Sequence, residues 1–123
     1  MNNEYRILYK KVGKEPFVTT VKDTLKAKQK LVGGLIEIVA LDENTLIVCN
    51  EEGKILNLPP NLIFDYDYIA GDCFLIGDDY KNNGEYRSLT DDEIIRYTAE
   101  LNRRSFKHIE KDCSSERLDK NER

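Results

Sequence analysis

Leu31–Asn61, LVGGLIEIVALDENTLIVCNEEGKILNLPPN, decides how this chain folds. Leu35, Ile36, Ile38, Val39 and Leu41 form a nearly continuous apolar run rich in β-branched residues and broken by one Glu37. Such a run suits a strand with both faces largely covered. Asp42-Glu43-Asn44 supplies turn formers, because Asn and Asp tolerate positive φ and bond to nearby backbone. Leu46 to Cys49 resume the strand pattern, so residues 35–49 read as a β-hairpin. Asn50-Glu51-Glu52-Gly53 is a second turn, with Gly53 suited to a left-handed position. Lys54 to Leu58 read as a third strand, stopped by Pro59-Pro60, which cannot donate to a ladder. Three adjacent short strands predict an antiparallel meander.

On the N-terminal side, Tyr5–Val12 and Phe17–Val21 are β-branched and aromatic, joined by Gly13-Lys14-Glu15-Pro16. They predict a first hairpin. Asp23 is a candidate helix N-cap. Leu25, Ala27, Leu31 and Val32 give the following helix a partial apolar stripe. Gly33 is placed as its left-handed terminator, and Lys28 and Lys30 complement the negative helix end. The resulting strand, strand, helix, strand, strand order resembles the β-grasp, a topology that implies no function.

On the C-terminal side, Asn61–Asp67 is polar-aromatic and fits no one element. Ile69-Ala70-Gly71-Asp72 turns into Cys73-Phe74-Leu75-Ile76, the last core strand, and Gly77-Asp78-Asp79 ends it. Tyr80–Arg87 reads as a polar loop. In Leu89-Thr90-Asp91-Asp92-Glu93-Ile94, Thr90 and Glu93 make a capping box, and Leu89 and Ile94 the matching hydrophobic staple. Asp91 and Asp92 sit where the helix dipole favours negative charge. The helix carries Ile94, Tyr97, Thr98 and Leu101 on one side, with an extension to Phe106 and Ile109 open. The fold class is therefore α+β: a small mixed or antiparallel sheet, one packed helix in ββαββ order, and a C-terminal helix. Residues 1–111 form one domain, and 112–123 are a polar tail expected to be disordered.

At 123 residues with 40% hydrophobic residues, the chain can bury one core without staples. Its 3 cysteines, Cys49, Cys73 and Cys113, are widely spaced with no CxxC, which argues against zinc and for a reducing, cytoplasmic setting. No apolar run approaches the length of a membrane span, and no signal peptide is visible. The net charge of -4 is uneven: residues 1–34 hold 8 Lys/Arg against 3 Asp/Glu, and residues 35–89 hold 3 against 11. A local basic part gives nucleic-acid binding no general support. A dipolar surface favours contact with a charged partner, including another copy of the chain.

No phosphate loop is present: there is no GxxxxGK[ST] and no GxGxxG. His108, the single histidine, lies among Arg103, Arg104, Lys107 and Lys111 and pairs with no recognisable nucleophile. It reads as a solvated helix residue, so no catalytic residue, metal ligand or cofactor is expected. Lys22, Lys26 and Lys30 read as one helix-side face with Lys10, Lys11 and Lys14 nearby, and Arg96, Arg103, Arg104 and Lys107 offer a second basic patch. Both serve as solvated faces or as anion-binding surfaces; Glu100–Arg104 is an i,i+4 pair that suits the former. The carboxylate pairs Glu51-Glu52 and Asp78-Asp79 read as solvated turns, or with Asp42 and Glu43 as an acidic strip for a basic partner. Tyr66, Tyr68, Tyr80 and Tyr86 fall in or beside loops, where tyrosines stack on bases, anchor interfaces or cover a small core.

Leu31–Glu37 (LVGGLIE), Asn50–Lys54 (NEEGK), Leu58–Asn61 (LPPN), Ile69–Asp72 (IAGD) and Leu89–Glu93 (LTDDE) follow one another in an order that resembles a small domain-of-unknown-function family. That family occurs in phages, prophages and conjugative elements of Gram-positive bacteria, and the resemblance covers about residues 5–97. It implies a cytoplasmic accessory protein of a mobile element and supplies no catalytic residue. By analogy with such accessories, the expectation is a non-enzymatic counter-defence protein. It would sequester a small nucleotide signal, with Lys26, Lys30, Arg103 and Arg104 holding phosphates. The alternative is an inhibitor of a host defence enzyme or nuclease, presenting Glu51, Glu52, Asp78 and Asp79 as a nucleic-acid mimic.

Overall fold

A computed structural model describes residues 3–82 and 85–106. The first hairpin is β1 (Glu4–Lys10) and β2 (Phe17–Lys22), paired in register from Glu4↔Lys22 to Tyr9↔Phe17. Helix α1 (Leu25–Val32) follows, then the hairpin β3 (Ile36–Ala40) and β4 (Thr45–Asn50). Next come β5 (Pro60–Ile63) and β6 (Tyr68–Ala70), which make a separate two-stranded sheet. β7 (Cys73–Asp79), β8 (Glu85–Arg87) and α2 (Asp91–Arg104) complete the described fold. The class is α+β and the opening ββαββ order is present.

The main sheet runs β2-β1-β7-β4-β3, with β8 added alongside β7. Each of these pairings is antiparallel. The predicted three-strand meander does not form. β7, the last of those five strands in chain order, takes the centre, between β1 and β4. Its residues explain this: Cys73, Phe74, Leu75 and Ile76 are each fully buried, so both faces of the strand need cover.

Lys54–Leu58 is not a strand. Asn50 Oδ1 accepts from Glu52 N at 2.7 Å and starts a turn. Gly53 N→Asn50 O, Leu56 N→Glu52 O, Asn57 N→Lys54 O and Leu58 N→Gly53 O carry that turn through the segment. Asn57 closes it at φ 59°, a left-handed conformation that Asn tolerates better than most residues. Pro60 then opens β5 instead of ending a strand, at a first position where a missing N–H costs nothing. Glu85–Arg87, expected in a polar loop, adds β8 to the end of β7.

Helix α1 starts one residue later than predicted. Thr24 is the N-cap, its Oγ1 accepting from Ala27 N at 3.1 Å. Asp23 instead accepts from Tyr5 Oη and from Lys28 Nζ, at 3.2 and 3.0 Å. Lys28 is therefore buried in that pair and does not serve the helix end, whereas Lys30 lies in the last turn. Gly33 ends the helix at φ 79°, where a Cβ would be disfavoured. The last carbonyls find side-chain donors: Tyr9 Oη to Leu31 O and Asn50 Nδ2 to Val32 O.

Alternation along the strands gives the sheet two apolar faces. Tyr5, Ile7, Tyr9, Val48, Phe74 and Ile76 pack with Val32, Ala27 and Leu31 of α1. Leu8, Ile47, Cys49, Cys73 and Leu75 pack with Tyr97 and Leu101 of α2 and with Leu62 of β5. The two helices thus lie on opposite faces. α2 has the predicted capping box, and Leu89 and Ile94 join the same apolar cluster. Arg104 is its last residue; the proposed extension to Ile109 and the tail 112–123 fall outside the described residues.

Candidate functional site

The α2 face of the sheet is only partly covered. Helix α2 and the β5–β6 hairpin leave a gap over β3 and β4, and the turn at 51–57 closes one end. The result is a cleft of about 490 Å³. That size falls among small-molecule sites. Val39, Leu41, Ile47, Cys49 and Ile69 make an apolar lining. Phe64 and Tyr68 of the β5–β6 hairpin region add aromatic surface, and Ile55, 81% exposed, stands at the mouth.

Both cations of the lining are paired with a carboxylate. Arg104 Nε donates to Glu100 Oε2 at 2.9 Å, and its guanidinium carbon lies 4.5 Å from the Phe64 ring centroid. Lys54 Nζ donates to Asp67 Oδ1 and stands 4.8 Å from the Tyr68 ring centroid. The hydrogen bond from Lys54 holds the Asp67 carboxyl below its ordinary value and raises the lysine in turn. Glu37 and Glu51 also line the cleft. Burial, helped by the negative charge of Glu37, pushes the Cys49 thiol up to about 11. That thiol is a poor nucleophile at neutral pH. Cys73 is fully buried and shifted upward for the same first reason.

Of the four residues expected to bind an anion, Arg104 lines this cleft. Arg103 is exposed beside it on α2. Lys26 and Lys30 are exposed on α1, so the sheet separates them from both arginines. The acidic strip divides as well. Glu51 and Glu52 follow the end of β4. Asp78 and Asp79 lie at the other end of the sheet, where Asp78 N donates to Asn44 O near Asp42 and Glu43. Among the tyrosines, Tyr68 lines the cleft, Tyr66 is 99% exposed, and Tyr86 packs edge-on against Tyr5. His108, Lys107 and Cys113 lie outside the described residues.

Sequence reasoning missed Glu37, Lys54, Phe64, Asp67 and Glu100 as site residues. Glu37 carried a signal, being the charged interruption of the apolar run at 35–41. The others depend on how the β5–β6 hairpin folds back over β4, which no local pattern encodes.

Two polar networks hold the cleft's walls. Arg87 donates from Nη1 and Nη2 to Glu93 Oε1 and Oε2, both at 2.8 Å, and from Nη2 to Asn44 O at 2.9 Å. That fork ties β8, the start of α2 and the β3–β4 turn together, and holds the Glu93 carboxyl down to about 2. On the β5 side, buried Asn61 donates to Lys10 O and Gly71 O, each at 2.9 Å, and accepts from Lys10 Nζ at 2.8 Å.

A small antiparallel sheet with a helix on each face and an apolar cleft against one of them defines a compact α+β domain. Residues 5–102 match the model of a domain of unknown function, DUF3846, and the chain belongs to that family. No curated protein and no solved structure matches it. No helix among the described residues is long and apolar enough to cross a membrane.

Proposed function

We propose that this protein is a non-enzymatic small-molecule-binding protein and that the cleft on the α2 face is its site. The observation that carries the reading is the cleft of about 490 Å³, lined by apolar residues, two aromatic side chains and charged groups of which Glu37, Glu51, Lys54 and Asp67 are exposed. Apolar burial supplies affinity for a flat ring, and the rim groups orient it. A nucleobase or a related heterocycle is the ligand class of best fit.

The mobile-element setting implied by the motif resemblance gives such binding a use: a cytoplasmic accessory that withdraws a nucleotide signal from a host defence. Arg104, stacked on Phe64, is the rim cation that supports a phosphate-bearing ligand, with Arg103 next to it. Four carboxylates against two cations in the lining favour a ligand with few phosphates.

Thermal-shift and NMR titration with bases, nucleosides, and cyclic and ADP-ribose-type nucleotides test the reading, alongside mass spectrometry of small molecules released on denaturation. Binding that disappears in Val39→Phe, which fills the cleft from a half-buried position, is the expected result. No ligand in any of these assays, or binding indifferent to Val39→Phe, removes the proposal.

A second reading is supported by the acidic end of the sheet, where Asp78 is hydrogen-bonded through its N–H to Asn44 beside Asp42 and Glu43. There a basic protein, such as a host nuclease, would dock. Pull-down with Asp78→Lys and Asp79→Lys separates the two, since only this reading predicts loss of a captured partner. Glu51 and Glu52 belong to the opposite end and take no part in it.

A further inference from the structure

We propose that the ligand of the cleft is a flat ring bearing a positive charge, an aromatic or heteroaromatic amine, received by Glu37 and Glu51. This rests on the cleft being the site and gives its ligand a positive charge in place of the phosphate of the preceding reading. The argument is one of charge left over after internal pairing. The lining holds Glu37, Glu51, Asp67 and Glu100 against Lys54 and Arg104. Lys54 is engaged by Asp67 and Arg104 by Glu100. Among the described residues, the carboxylates of Glu37 and Glu51 form no ion pair and no hydrogen bond, although Lys54 feels the charge of Glu37 and Glu37 O accepts from Cys49 Sγ at 3.6 Å.

Geometry brings these two carboxylates to one edge of the same surface. Glu37 pairs with Cys49 across the β3–β4 ladder, and Glu51 lies two residues beyond Cys49, where its N–H donates to Leu35 O. They are therefore diagonal neighbours on the cleft face, about 7–8 Å apart at the backbone. Below them lie Cys49 and Val39. An ammonium group at this edge sits between two carboxylates while its ring enters the apolar interior. An anion there meets both charges with no uncommitted cation opposite. Partial exposure of the site keeps the discrimination moderate and sensitive to salt.

An isosteric charge series tests the idea on the full 123-residue chain. Indole, tryptamine and indole-3-acetate share one ring and differ in charge; calorimetry and NMR titration at low and high salt compare them. Tryptamine is expected to bind about five- to tenfold more tightly than indole, and indole-3-acetate more weakly than indole. The preference shrinks with added salt. In Glu37→Gln/Glu51→Gln the three affinities converge on that of indole, whose binding is retained and so reports an intact fold. Single Glu51→Gln, on an exposed turn, removes part of the preference.

If indole-3-acetate equals or exceeds tryptamine, and Val39→Phe still abolishes binding, the charge inference fails and the cleft reading stands. A tryptamine preference that survives the double Gln variant also overturns the inference. If none of the three binds at millimolar concentration, the charge inference falls and the cleft reading rests on the nucleotide screen; if Val39→Phe leaves their binding unaffected, both readings fall together.

Discussion

At the scale of single residues, two side chains hold more of the structure than their sequence neighbours suggest. Glu93 was legible as the acidic member of a capping box, and it accepts from Thr90 N at 2.9 Å in that role. Its larger task, receiving the Arg87 fork, depends on Arg87 lying in a strand that read as loop. The carboxyl is lowered from 4.5 to about 2, first by the hydrogen bonds from Arg87. A depressed carboxylate stabilises the fold fully above its unfolded value and loses that contribution as pH falls toward its folded value. Stability should therefore drop between about pH 4.5 and pH 2, by at most about 3 kcal/mol from this group. Glu93→Gln should cost about 1–3 kcal/mol at neutral pH and flatten that part of the profile, read by urea unfolding at each pH. An unchanged profile in the variant would place the acid sensitivity elsewhere. Asn61 offers a second case. Its amide satisfies two backbone carbonyls in a fully buried position, yet the sequence shows only an Asn after two prolines. Asn61→Ala leaves those acceptors without this donor and should cost about 2–3 kcal/mol in thermal or denaturant melts. A loss under about 0.5 kcal/mol would mean that water or a rotated neighbour replaces it.

Elements divide by how local their determinants are. Both hairpins, the end of α1 at Gly33 and the start of α2 were readable because turn chemistry, strand alternation and caps act within a few residues. The segment 54–58 misled because Ile55, Leu56 and Leu58 imitate a strand, while Asn50 and Asn57 commit the backbone to turns. Leu56 is 55% exposed, so its apolar character carries no burial signal. That turn sits tightly on the β6 wall. A Cβ on Gly53 would come within 2.7 Å of Ala70 O and 3.3 Å of Ala70 Cβ. Backbone cannot yield as a flexible side chain does, so Gly53→Ala should push the turn outward at about 1–3 kcal/mol. The cleft should widen at that end, and affinity for a ligand of the proposed site should fall even where the protein stays folded. A lower melting temperature with amide shifts centred on Ala70 and Lys54 is the expected signature. A variant with unaltered melting and unaltered shifts at Ala70 would show that the contact relaxes without moving the wall.

For the whole molecule, the decisive fact is which face each helix covers, and this is where the reading of the candidate site from sequence stopped. Lys26, Lys30, Arg103 and Arg104 look alike as basic helix residues, and nothing in their spacing tells α1 and α2 apart. Their positions are set by the arrival of β7 between β1 and β4. That insertion builds a continuous sheet whose alternate side chains serve α1 on one face and α2 on the other. A sheet with stacked apolar layers on both sides keeps charges on opposite faces well beyond a Debye length of about 8 Å at physiological salt, so the two basic groups act independently. The consequence is a clean asymmetry. Lys26→Glu/Lys30→Glu changes the charge of the α1 face and should leave affinity for any cleft ligand within about twofold, with melting little altered at exposed positions. Arg104→Ala removes the group stacked on Phe64 and frees Glu100. It should change affinity severalfold, upward for a cationic ring and downward for a phosphate-bearing one. Calorimetry on the two variants with one ligand reads both effects. If the α1 reversal altered binding as much as the loss of Arg104, the ligand would contact both faces, as it could only by bridging two copies of the chain.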